Sequence, residues 1–162
     1  MDIALWKDFF VATAGASAAL VGLIIVAMSV NIETIVKFRS LPSRAGTTIA
    51  NLAIVVVLSI IGLVPGISIA AFGIIGLLVG LVALGMGIES TVQIVRNHRE
   101  DPQAGVIGKS SVSVTPGAVV VVSCVMLIAG IATGLYGVAG AVVLAFVGSI
   151  LNAWILLVEI RR

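Results

Sequence analysis

Charge is scarce in this sequence: 10% of its 162 residues are charged, against about a quarter in ordinary soluble domains. There is too little polar surface to cover a water-soluble globule, and with 60% apolar residues the solvent for most side chains is expected to be lipid. Cysteine occurs once, as Cys124, which excludes an intrachain disulfide, a Cys-x-x-Cys redox pair and a thiolate metal cage. Met1 to Asp8 lacks the basic region and small-residue cleavage site of a signal peptide, so the first apolar run is expected to remain as a span. Ionisable residues are missing from the interiors of all the long apolar runs. Proton relays, voltage sensors and most ion-coupled carriers need such groups within the membrane, so a proton-driven transporter or pump is disfavoured. Sodium coupling through carbonyls and hydroxyls would need broken mid-membrane helices, and the sequence gives no sign of them.

What the chain does contain is apolar length. Phe9 to Val30 is a run of 22 uncharged residues, enough for a hydrocarbon core about 30 Å thick. Beyond it, Ile32, Ile35 and Val36 keep helical spacing, and Glu33 pairs with Lys37 at i and i+4, so the helix is expected to continue into the interface and stop before Pro42. Gly46 to Ile88 holds 43 residues without charge; as one helix they would reach roughly 65 Å at 1.5 Å per residue, twice the membrane thickness. They must fold back, and Val64-Pro65-Gly66 supplies the break. The 42 uncharged residues from Gly117 to Val158 require a second hairpin, expected around Gly134, Tyr136, Gly137 and Gly140. Thr115 is positioned to cap its first helix, with Pro116 at the first helical position.

The fold class read from these runs is all-α, a polytopic transmembrane bundle in a single membrane domain. Five spans are expected near residues 9–30, 46–64, 67–88, 117–135 and 138–158, with cytoplasmic segments at 31–45, 89–116 and 159–162. The basic residues agree with that count. Lys37, Arg39, Arg44, Arg96, Arg99, Lys109, Arg161 and Arg162 all fall on one side, and the two hairpin turns carry no charge. By the positive-inside rule the N-terminus is expected outside and the C-terminus in the cytoplasm. Trp6, Phe9, Phe10 and Trp154 are placed as interfacial anchors would be. The basic residues lack the aromatic interleaving of a nucleic-acid face.

Candidate sites are few. Glu89 and Glu159 lie at the cytoplasmic ends of the third and fifth spans; paired carboxylates suggest acid/base chemistry, but neither a nucleophile nor metal-ligand spacing accompanies them. The lone His98 sits in the charged run Arg96 to Asp101 and reads as a solvated helix end. Gln103 to Ser110 resembles the close of a phosphate-binding loop, yet its first required glycine is Gln103, no buried strand precedes it, and Ser111 to Thr115 alternates like an extended segment. No cofactor, metal, nucleotide or nucleic acid is expected. Asn51 and Asn152 should sit at similar depth near the cytoplasmic side, either hydrogen-bonded to each other or lining a polar cavity. Gly15 and Gly22, and Gly76 and Gly80, form small-residue faces that permit close helix packing, within one bundle or between protomers.

Trp6 to Val11 with Gly15 to Leu23, and Leu151 to Ile160 at the other end, resemble a family of small uncharacterised bacterial membrane proteins. Some of its members are labelled modulators of a membrane-bound ATP-dependent protease. The resemblance covers about a third of the chain, implies no catalytic residues, and would place Asn152, Trp154 and Glu159 in a shared signature. The function expected from the residues is a non-enzymatic scaffold or regulatory subunit, oligomeric or bound to another membrane protein and to lipid. The alternatives are a channel or uniporter for a small solute, and more remotely a lipid-modifying enzyme.

Overall fold

The computed structural model describes residues 3–30, 41–97 and 106–159, which form five helices and, among the described residues, no strand. A short 3₁₀ turn, Ile3–Trp6, leads into α1, Lys7–Val30. It is followed by α2, Leu41–Gly62, α3, Ile69–Asn97, α4, Val106–Ile128, and α5, Gly134–Glu159. Three apolar stretches are long enough to cross a membrane: Ile3–Val30, Ile69–Glu89 and Gly134–Leu151. Those of α2 and α4 are shorter among the described residues, at Thr48–Gly62 and Val114–Ile128.

The first hairpin turns where Pro65 and Gly66 stand. Ile67 N–H donates to the Val64 carbonyl at 3.2 Å, and Gly66 takes φ 73°, so Pro65 and Gly66 fill the two central positions of a type II turn. Ser68 then caps α3 through its hydroxyl, which accepts from Ala71 N–H at 3.1 Å.

The second hairpin turns earlier than the sequence suggests. Gly130 has φ 81°, Ile131 N–H donates to the Met126 carbonyl at 2.8 Å, and Gly130 N–H to that of Leu127 at 3.1 Å. This pair of bonds is the Schellman stop of a helix, so the turn occupies residues 129–133. Gly134, Gly137 and Gly140, expected to form the turn, are helical positions in α5.

The expected start of the fourth helix is also corrected. α3 runs on to Asn97 and α4 begins at Val106. Thr115 and Pro116 therefore lie inside α4 instead of opening it, and the alternation of Ser111 to Thr115 belongs to a helix. The expected extension of the first helix through residues 31–39 falls outside the described residues, as does His98.

Helices α2 to α5 close a ring in which each packs on its sequence neighbour and α5 returns to α2. Glycines set the spacing between α3 and α4. A Cβ on Gly73 would meet Leu127 at 3.2 Å, one on Gly76 the Cys124 Sγ at 2.8 Å, one on Gly80 Val120 at 2.9 Å, and one on Gly117 the Leu84 backbone at 3.0 Å. The two helices thus run antiparallel and level with each other over that length. α1 lies outside the ring, packed almost wholly on α2. Its Phe10 fits against Gly62, where no Cβ intervenes, and rests on Phe72 with ring centroids 5.6 Å apart. With 1% of its surface exposed, Phe10 is a core residue and not the interfacial anchor expected of it. Its position next to Trp6 and Phe9 at the end of an apolar run gave the same sequence signal as an anchor. Trp154, 68% exposed, stands on the outside of α5.

Candidate functional site in the bundle interior

The ring interior changes character along its axis. At the hairpin end it is filled by Leu58, Phe72, Leu127, Leu135 and Val138, all buried in one cluster. Ile3, from the 3₁₀ turn, is buried in the same cluster. Trp6 lies over this end, edge-on to Tyr136 at 5.0 Å and to Phe9 at 5.7 Å. Toward the opposite end the buried positions become small or polar, with Asn51 on α2, Ala83 on α3, Pro116 and Gly117 on α4, and Ala145 and Ser149 on α5.

Where the two halves meet there is a cavity. It is lined from α2 by Asn51, Ile54, Val55 and Leu58, from α3 by Ala83, from α4 by Pro116, Gly117 and Val120, and from α5 by Ala141, Val142 and Ala145. Its open volume of about 10 Å³ is on the order of what one water molecule needs. Asn51, half-buried, supplies the polar side chain of this lining.

Asn51 and Ala145 both line this cavity, from α2 and α5. Asn152 is seven residues further along α5, about 10 Å at 1.5 Å per residue. The pairing of the two amides expected from the sequence rests on the Asn152 side chain, which lies outside the described residues, as does that of Glu159.

Hydroxyls in this bundle are mostly satisfied by their own helix. Ser17 donates to the Thr13 carbonyl at 2.6 Å, Ser123 to that of Val119 at 2.6 Å, and Thr91 to that of Gly87 at 2.9 Å. A hydroxyl pair joins two helices: Thr13 Oγ1 of α1 and Ser59 Oγ of α2 are 2.8 Å apart, and both residues are buried. Both are polar residues inside apolar runs, and nothing in the sequence alone pairs them. Ser149 is the exception: its Oγ is buried and has no hydrogen-bond partner.

The remaining candidates are dispersed. Glu89 is exposed on α3, and no cluster of three metal-ligating side chains occurs among the described residues. Gly76 and Gly80 face α4, whereas a Cβ on Gly15 or Gly22 would have nothing within 4 Å. The class defined by this fold is a helical bundle, three of whose helices have the length and apolar content to cross a membrane. No family model, curated protein or solved structure matches the chain.

Proposed function

We propose that the chain is an integral membrane protein of the bacterial inner membrane with five spans, N-terminus outside, that acts without catalysis as a scaffold or regulatory subunit. The five-span reading is supported by packing. α3 and α5 are long enough to cross, α4 lies antiparallel and level with α3, and α2 lies against α5, so the two shorter apolar stretches share the depth of the longer ones. At 22 and 23 residues, α2 and α4 each reach roughly 33 Å, and apart from the bond that Pro116 removes from α4 such helices pair their backbone groups internally, as lipid requires.

One observation carries the scaffold reading: the outward face of α1 is made of small residues and is left uncovered. Ala12, Gly15, Ala16, Ala19 and Gly22 recur at helical spacing and are all exposed. Faces of this kind let transmembrane helices approach closely, and the fitting occupant is a helix of another membrane protein or of a second copy, with lipid filling what remains. Extraction from native membranes in mild detergent should recover a defined homo-oligomer or a stoichiometric membrane partner. A strictly monomeric, partnerless protein would overturn the proposal. The apolar packing that closes the hairpin end of the ring weighs against a conduit through one protomer, and sustained solute flux in liposomes would restore the channel reading.

A further inference from the structure

We infer that the ring interior holds a bound water molecule that ties α2, α4 and α5 together beside Pro116. Three polar groups on three helices lie in the cavity lining or one helical turn from a lining residue. The first is the Asn51 amide, in its lining. The second is the Val112 carbonyl. Pro116, itself a cavity wall, is inside α4 and has no N–H, so the Val112 carbonyl one turn before it lacks its usual i+4 donor.

The third group is the Ser149 hydroxyl. It stands one helical turn beyond Ala145 on the same face of α5, with Cβ atoms of such neighbours about 6 Å apart. Ser149 is 2% exposed, and its Oγ makes no hydrogen bond. Among the described buried hydroxyls that is an anomaly, since Thr13, Ser17, Ser59 and Ser123 are all bonded. Leaving a buried hydroxyl unpaired is costly. A water needs two to four polar partners and about the volume this cavity has, and it would serve the hydroxyl, the carbonyl and the amide at once. Water does not accumulate in apolar voids of this size, and with Asn51 the one polar side chain in the lining, the hydroxyl and carbonyl a turn away are what would make the site specific.

The test is a thermal-unfolding series on the full-length protein in detergent, with Ser149→Ala, Asn51→Leu and the double variant. A bridging water predicts that Ser149→Ala lowers the midpoint by about 2–4 °C, the shift of one lost hydrogen bond in a chain of this size. The double variant should then lose less than the sum of the single changes, since both remove partners of one water. A midpoint that rises or holds with Ser149→Ala identifies an orphan hydroxyl whose removal is harmless, and overturns the inference. Magnetisation transfer from water to the Ala145 and Val142 methyls in lipid vesicles reads the site in the unaltered protein. Its absence overturns the inference even if the variants fail to fold.

Discussion

Replacing Gly134 by alanine tests the packing of α4 on α5. The new Cβ would lie 2.5 Å from the Ser123 carbonyl oxygen, with Leu127 Cγ at 2.9 Å. Leucine can rotate away, but a backbone carbonyl in the middle of α4 cannot. The helices must therefore separate by several tenths of an ångström, and overpacking of that kind costs about 1–3 kcal/mol. For a chain of this length such a loss lowers the unfolding midpoint by about 2–12 °C. Gly140→Ala, on the same helix, meets nothing within 4 Å and should leave the midpoint unchanged or raised, because alanine is the better helix former. Gly137→Ala is intermediate, since its closest clash is with the Ser123 hydroxyl; Ser123→Ala should relieve part of it while leaving Gly134→Ala unrelieved. The assay is built into the protein: Cys124, the sole cysteine, is fully buried, so a thiol-reactive dye reports unfolding as it becomes exposed. Equal midpoints for Gly134→Ala and Gly140→Ala would refute the α4–α5 register.

The interhelical hydroxyl pair should be modest in energy. Thr13→Val and Ser59→Ala in a double-mutant cycle are expected to show a coupling of about 0.6 kcal/mol, the average for such bonds between membrane helices, and no coupling would mean that the 2.8 Å contact does not hold α1 on α2. Phe10→Ala should be far more damaging, by about 3–5 kcal/mol, because it empties a fully packed site; truncating Trp154, mostly exposed, should cost under about 0.5 kcal/mol. If the dye assay gave the two aromatics similar effects, the assignment of Phe10 to the core would be wrong.

The two hairpins show how far the sequence could be read. Pro65 and Gly66 announced the first turn because proline and a left-handed glycine are both exceptional in a helix, and together they leave one interpretation. In the second apolar run every strong signal was a glycine, and glycine has two uses there. Gly130 ends α4 through its positive φ, whereas Gly134 and Gly137 admit the backbone and side chain of Ser123. Only the tertiary partner separates those roles. Pro116 misled for the same reason: a proline at a helix start and a proline tolerated inside a helix look alike until the neighbouring helix is known. The interior site was half legible. Asn51 stood out as an amide in an apolar run, but its surroundings came from three other helices, and Ser149 became conspicuous only when its hydroxyl was found buried and unbonded.

The central claim, five spans, is tested most directly by sidedness. In a Cys124→Ser background, single cysteines at Ser68 and Thr133, both exposed at the hairpin turns, and at Arg162 can be challenged with a membrane-impermeant thiol reagent in intact cells and in inverted vesicles. Five spans predict that positions 68 and 133 are labelled from outside and position 162 only from inside. Labelling of positions 68 and 133 from opposite sides would contradict the account, because an odd number of crossings would then separate the two hairpins.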